Sequence, residues 1–371
     1  MSKNYNNWCP EAYRGLFIDR FNDTEIQMGP CCNSFLNKEP ADTFNFHTSP
    51  TLTRIRQEFN QGLKPKECNR CWDAEAVGHK SRRENVIEFF NLPTPDTAIK
   101  LESLDYSATW ACNLACVMCG PGLSSTWAAE LNSNSDDLFQ MGRKFQRLNN
   151  IVDRIDFSSI KKLHFSGGEP MLNNDQITIL KKMDENGILK DAMISYNTNG
   201  TVWPSGEIFK FWKKAKLVKI YFSIDATDAG YEYIRYPGKW NEVTGNMLKL
   251  KNEGPNNMMF GFNVAIGGYN IFEVADVWKW FNTHLKTNRE GDPSDWMWQP
   301  VKDYDFKYLN KVAKHQAIEK LSAIDGLSEI VNYLNTTLDY DESKNWIDAF
   351  NKIDARRGTN WKQSLQIGKY Y

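Results

Sequence analysis

Three of the chain's eight cysteines, Cys112, Cys116 and Cys119, fall in the stretch TWACNLACVMCG at residues 109–120, spaced C-x3-C-x2-C. Thiols this close can pair as disulfides, bind zinc, sit inert in a core, or seat an iron–sulfur cluster. No cysteine follows Cys119, and the nearest downstream histidine, His164, lies inside a run that reads as a strand. A structural zinc site needs a fourth ligand close by. Three thiolates instead suit a [4Fe–4S] cube whose fourth iron is left for an outside ligand, whereas four would close the cluster and suit simple electron transfer.

The other five cysteines, Cys9, Cys31, Cys32, Cys68 and Cys71, all precede residue 72. Their C-x2-C pair in KECNRCW fits a zinc knuckle as well as a cluster. The N-terminus MSKNYNNWCPEAYRG lacks the basic-then-apolar layout of a secretory leader, and no run of about 18 apolar residues occurs. The expected compartment is the cytoplasm, where thiols stay reduced and clustered cysteines are metal ligands more often than disulfides.

Composition narrows the partners. The chain has 371 residues, 41% hydrophobic and 25% charged, with 45 Lys plus Arg against 46 Asp plus Glu. This is the profile of a folded globular protein. A net charge of −1 gives no electrostatic footprint for nucleic acid or an anionic membrane. Neither partner is expected.

Positioning these thiols requires elements, and the chain changes texture along its length. Residues 1–95 read as a turn-rich, irregular module tied by cysteines, with one short helix in TLTRIRQEFNQG (51–62). From about residue 102, six strand-like runs recur: 103–110, 161–168, 191–200, 217–225, 258–268 and 295–301. Helical stretches at 123–154, 174–186, 205–215, 228–253 and 271–287 separate them. Alternation of this kind predicts an α/β fold with a parallel sheet, open or curled into a partial (β/α)6 TIM-type barrel. In such folds function collects at the C-terminal ends of strands. The triplet, SGGEP, NTNG, SID and GGYN all fall there. Residues 302–371 read as a helical C-terminal extension packed on the core, with no chemistry of its own. HKSRRE (79–84) reads as a solvated, charged helix start, and the 13 tryptophans as core aromatics.

The triplet after the first strand, followed in order by GGEP, TNG and SID, resembles the radical S-adenosylmethionine (radical SAM) enzymes over about residues 103–300. The resemblance implies a [4Fe–4S] cluster on Cys112, Cys116 and Cys119 whose open iron is chelated by SAM. Reductive cleavage of SAM would then give a 5′-deoxyadenosyl radical that abstracts hydrogen from a substrate. It further implies SAM contacts from Gly167, Gly168, Glu169, Asn197 with its neighbours Thr198 and Asn199, Ser223, Asp225, Arg235 and Asn263. Glu169 would meet the amino group, Ser223 and Asp225 the ribose, and Arg235 the carboxylate; a surface ion pair is the plainer reading of Arg235. One departure is Met118, where the family usually has an aromatic residue before the last cysteine.

The N-terminal text, WCPEAYRGLFIDRFNDTEIQMGPCCNSF and LTRIRQEFNQGLKPKECNRCWDAEAVGHKSRRE, resembles the SPASM/twitch modules that hold auxiliary [4Fe–4S] clusters, although those usually follow the barrel. Cys9, Cys31 or Cys32, Cys68 and Cys71 would be its ligands; Cys31 is preferred because it follows Pro30 as in the family pattern. The implied organisation is an auxiliary module at 1–95, a radical SAM core at 102–301 and the extension at 302–371. The implied substrate is a peptide or protein, with a carbohydrate or small molecule, or a nucleoside or tRNA, as alternatives. An electron donor such as flavodoxin or ferredoxin is implied as well. A catalytically inactive iron–sulfur or zinc scaffold is the non-enzymatic alternative.

Overall fold

A computed structural model describes residues 7–21, 24–76, 78, 80–91, 94–107, 110–131, 151–286, 296–336 and 341–371. Parts of the expected elements at 108–109, 132–150, 287 and 295 lie outside these residues. Chain contacts divide the molecule into two compact units. One comprises Met1–Ala111, Asn134–Tyr196 and Pro204–Val218; the other comprises Cys112–Ser133, Asn197–Trp203 and Lys219–Tyr371.

Nine strands are described: β1 (Gly15–Phe21), β2 (Glu25–Gly29), β3 (Asn37–Pro40), β4 (Ser103–Tyr106), β5 (Lys162–Phe165), β6 (Met193–Thr198), β7 (Leu217–Ser223), β8 (Met258–Ile266) and β9 (Trp296–Pro300). Each of the six strand-like runs of the core contains one of the strands β4–β9. Helices Ser125–Leu131, Asp175–Glu185, Gly206–Trp212, Trp240–Glu253 and Val274–Trp280 lie between them in the chain. The fold is therefore α/β, with the parallel strand–helix repeat of a partial TIM-type barrel.

In the first unit the strands run β3-β2-β1-β4-β5-β6. β1 pairs antiparallel with β2 but parallel with β4, Gly15 facing Ser103 and Ile18 facing Tyr106. The N-terminal segment is thus less irregular than its turn-rich composition suggests. GLFIDRF and EIQMG are true strands, too short among Asn, Pro and Gly to stand out by period.

Register across β4, β5 and β6 sorts side chains by face, because a strand alternates with period two. Leu104, Leu163 and Ile194 form one fully buried row. Two positions on, Tyr106, Phe165 and Tyr196 form an aromatic row whose ring centroids lie 6.3 and 5.0 Å apart. Burial of each such side chain stabilises by about 1.5–3 kcal/mol. This is the face that meets helices: the Tyr106 hydroxyl donates to Asp175 Oδ2 at 2.6 Å, and Trp212 Nε1 donates to the Tyr196 hydroxyl at 3.1 Å. The opposite face carries a polar row, Asp105, His164 and Ser195.

In the second unit β8 pairs parallel with β9, Phe262 facing Trp296 and Asn263 facing Met297. The helical stretch expected over 228–253 is two helices, Asp228–Ile234 and Trp240–Glu253, because Pro237 cannot continue the first. Residues 302–371 are largely helical, with Lys311–Ser322, Ser328–Leu334 and Ser343–Arg357 as the longer helices. Among the described residues, no helix is long and apolar enough to cross a membrane.

Candidate active site and cysteine centres

The triplet loop is shaped by its own sequel, SSTW. Ser125 Oγ accepts from Cys112 N and donates to Cys112 O, both at 3.0 Å; Thr126 Oγ1 donates to the same carbonyl at 2.7 Å. Ser124 Oγ donates to Leu114 O at 2.5 Å, and Trp127 Nε1 to Cys116 O at 2.6 Å. On the loop's other side, Ala115 N donates to Tyr236 O at 2.6 Å and Val117 N to Ile234 O at 2.9 Å. With these backbone groups satisfied, the thiols are the loop's main reactive groups. Cys116 is buried, Cys112 and Cys119 half-buried, and Met118 is half-buried between them. The hydroxyl pattern after Cys119 was the overlooked sequence signal.

A cation faces these thiols. Arg235 Nη1 lies 3.9 Å from Cys116 Sγ, and Nη2 lies 2.6 Å from Asp225 Oδ2. Both side chains are buried, Asp225 completely. Burial opposes both charges and lifts the Asp225 carboxyl above its ordinary range, but at Arg235 the pull of Asp225 and Cys116 outweighs it and raises the guanidinium. A hydrogen bond between the two thiols raises Cys116 well above its usual value and lowers Cys119, with Arg235 drawing both down. At the loop's other end, Asn199 Nδ2 lies 4.0 Å from Cys112 Sγ and donates to Asn113 Oδ1 at 3.0 Å.

Asp225 is fully buried just beyond the end of β7. Its Oδ1 accepts from Ala265 N at 2.7 Å and its Oδ2 meets Arg235, so it holds the arginine. Asn270, which sequence reasoning missed, completes the arrangement. Its Nδ2 donates to Asp225 O and Ala265 O, and its Oδ1 accepts from Gly267 N at 2.7 Å. Ser223 and Asn263 sit half-buried at the end of β7 and within β8. Buried polar atoms of this unit that lack a hydrogen-bond partner among the described residues include Arg235 Nε, Asn197 Oδ1 and the Tyr269 hydroxyl. Natural proteins leave few such atoms, and those that exist call for a ligand, a water or a functional reason. The donor set and these orphaned atoms fit a cluster with a polar, charged co-ligand.

The SGGEP turn belongs to the first unit. Gly167 adopts φ +114°, which side-chain-bearing residues rarely tolerate. A Cβ at Gly168 would stand 2.3 Å from Ala111 O, and Glu169 N donates to that same carbonyl at 2.8 Å. Two glycines thus let the turn lie against the backbone just before Cys112. Glu169 is fully buried, and its Oε1 accepts from Met171 N at 3.0 Å.

Also within the first unit, Cys9, Cys31, Cys68 and Cys71 line one cavity, partly open to solvent, with Glu11, Asn33, Phe59, Arg82 and Arg83. Three separate segments bring the thiols there, held by a core of Trp8, Tyr13, Ile55, Phe59 and Trp72. Cys32 does not line the cavity; it is exposed, and its thiol bonds to the Asp105 carboxylate. Burial pushes Cys9 and Cys31 well up and Cys68 up to about 12, with Glu11 adding to each. Among the described residues, no three Cys, His, Asp or Glu side chains converge as the ligands of a single metal ion do.

The arginines of HKSRRE are not solvated as their charge suggests. Arg82 bonds both carboxylate oxygens of Glu11, at 2.7 and 2.9 Å, and Asp105 at 3.0 Å. Arg83 bonds Glu75 and lies 4.8 Å over the Trp72 ring. Ser81 caps the helix Arg82–Phe90 with a capping box, so the helix start itself is as expected.

Residues 106–281 match the family model of the radical SAM superfamily. Over these residues, just under half of the chain, it is similar to the enzymes of this superfamily. The match implies a [4Fe–4S] cluster and SAM. The chain is 30% identical over 176 residues to the GTP 3′,8-cyclase of Desulforamulus reducens, covering 47% of this chain and 49% of that protein. It is 28% identical over 188 residues to the GTP 3′,8-cyclase of Alkaliphilus oremlandii, covering 48% and 51%. The chain thus spans about half the length of the curated relatives it matches. Native anSMEcpe with bound AdoMet aligns at a TM-score of 0.40 with 17% identity, over 63% of this chain and 62% of that one. Streptococcus suis SuiB bound to the precursor peptide SuiA aligns at 0.35 with 13% identity, over 91% and 74%.

Proposed function

We propose that this chain uses SAM at the triplet loop to remove hydrogen from a peptide or protein substrate. When bound, the cluster and SAM supply an electron, a cleavable sulfonium and, from them, a 5′-deoxyadenosyl radical. The observation that carries the reading is the triplet itself: three thiols on one hydrogen-bonded loop, with a buried Arg235 cation 3.9 Å from Cys116 Sγ. Cys112, Cys116 and Cys119 would hold three irons. Arg235 offsets part of the negative charge of three thiolates, and Asp225 fixes the guanidinium that does so. Asn197, Ser223 and Asn263, with the Gly167–Gly168–Glu169 turn, are read as SAM contacts on the strength of the resemblance.

Cys9, Cys31, Cys68 and Cys71 are read as ligands of a second, closed cluster, supported by their shared cavity. The peptide or protein class rests on the likeness of this N-terminal pattern to SPASM/twitch modules. A nucleotide substrate is the second reading, favoured by the name the curated relatives carry. The electron donor is expected to be of the flavodoxin or ferredoxin class.

The test is anaerobic reconstitution of the wild type and a Cys112/Cys116/Cys119→Ala variant, with iron counting and a 5′-deoxyadenosine assay under reduction. The wild type should hold about eight irons and the variant about four. 5′-Deoxyadenosine should appear only with the wild type. Release that depends on added GTP would replace the peptide reading, and no release from the wild type would refute SAM cleavage.

A further inference from the structure

The helix Ser343–Arg357 lies beyond the family match at 106–281, yet its last residue ends against the cysteine loop. The Arg357 side chain is 3% exposed. Its Nη2 donates at 2.7 Å to the carbonyl of Ala115, the residue before Cys116. Its Nε lies 3.0 Å from both carboxylate oxygens of Glu130, on the helix that follows the loop. The guanidinium stands between two rings, 4.8 Å from Trp127 and 4.5 Å from Tyr236. Those two residues themselves hold the loop, Trp127 through Cys116 O and Tyr236 through Ala115 N. Arg357 therefore holds Ala115 O itself and packs against the two residues that hold Cys116 O and Ala115 N.

Only arginine fits this role. Its planar fork binds a carboxylate and a carbonyl while its faces stack on rings, which a lysine ammonium cannot do. An exposed ion pair would count for little, but Glu130 is only 15% exposed, so removing Arg357 would leave a largely buried carboxylate with the longer Arg356 contact as its ion pair. The helix end is itself fixed. Gly358 turns the chain at φ +67°, and the Asp354 carboxylate accepts from Thr359 Oγ1 and Trp361 N. Neighbouring Arg356 has a 37% exposed side chain and reaches Glu130 only at 3.5 Å.

We infer that Arg357 is a positioning residue for the cysteine triplet: it sets the Ala115–Cys116 backbone so that the three thiols can seat a cluster. The C-terminal extension is then part of the cluster site. This rests on the reading of the triplet as a cluster seat.

Full-length wild type, Arg357→Met, Arg357→Lys, Arg356→Met and the triplet→Ala variant are reconstituted anaerobically. For each, iron is counted, thermal unfolding is followed, and the reduced EPR spectrum is recorded with and without SAM. Arg357→Met is expected to lose the iron that triplet→Ala loses, together with the SAM-induced spectral change, while Arg356→Met matches the wild type. Arg357→Lys, which keeps a cation but not the fork, should hold intermediate iron and show a weakened SAM response. A folded Arg357→Met with wild-type iron and SAM response overturns the inference. If Arg357→Met does not fold, a wild-type iron content and SAM response in Arg357→Lys overturns it equally. A triplet→Ala chain with as much iron as the wild type overturns the cluster reading and the inference with it. Iron lost there but kept in the Arg357 variants overturns the inference alone.

Discussion

Cys112, Cys116 and Cys119 arrive on one short loop, whereas Cys9, Cys31, Cys68 and Cys71 are brought to a common cavity by three separate segments. The loop is organised by hydrogen bonds from its own next turn; the cavity is organised by an aromatic core and by Arg82 and Arg83. Electrostatics differ as well. Burial and Glu11 press protons onto Cys9, Cys31 and Cys68, with Arg82 opposing at Cys31, while Arg235 draws on Cys116 and Cys119. A metal that fills the first site must displace those protons, so its affinity is linked to pH. Both sites have arginine nearby, but at the triplet a buried guanidinium lies 3.9 Å from a thiol sulfur, Arg235 Nη1 from Cys116 Sγ. Four enclosed thiols and three thiols facing a cation are different answers to whether an outside ligand is admitted.

The sharpest way to break this comparison is to remove one thiol at a time from the cavity. Cys71→Ala and Cys31→Ala should each empty the N-terminal site, taking about four irons of about eight while the triplet's SAM-sensitive EPR signal persists. Cys32→Ala should keep all of it, because its thiol bonds Asp105 outside the cavity. Loss of iron in Cys32→Ala with retention in Cys31→Ala would reverse the assignment.

On the triplet side, Asp225→Asn keeps the acceptor for Ala265 N but leaves the Arg235 guanidinium buried without its counter-charge. Breaking such a pair costs about 3–5 kcal/mol, to be read from denaturant unfolding of the apo chain. Triplet iron should fall and N-terminal iron should not.

A smaller effect distinguishes the first unit by pH. Burial, with Lys162 and Arg82 nearby, lowers His164 to about 4 despite Asp105, and its Nδ1 lies 2.8 Å from Ser195 Oγ. The unfolded chain binds this proton near pH 6.5 and the folded chain only near 4. The stabilisation is therefore whole above 6.5 and lost as pH falls through that window. At most about 3 kcal/mol is involved. His164→Gln should flatten the unfolding midpoint between pH 4 and 6.5, and an unchanged slope would remove His164 as its source.

Local features were legible in the sequence and assembled ones were not. The six core strands and the triplet loop announce themselves through short patterns of apolar residues and cysteine spacing. β1 and β2 were missed because a strand acquired by pairing with β4 needs no long period of its own. Asp225 and Arg235 were both singled out, but their pairing with each other exists only once β7 and the helix Asp228–Ile234 have folded. Arg357 had no local signal, since its partners Ala115, Trp127, Glu130 and Tyr236 lie more than a hundred residues earlier.

The parallel pairing of β1 with β4 also sets an order of events during synthesis. β1, β2 and β3 can join through local antiparallel contacts soon after they emerge. β4 joins the same sheet only later, sealed by the Arg14–Glu102 ion pair across 88 residues. Such long closures are slow compared with hairpins. The N-terminal strands can therefore be in place as a template before β4 is made, and the rest of the sheet is added to them as the ribosome advances.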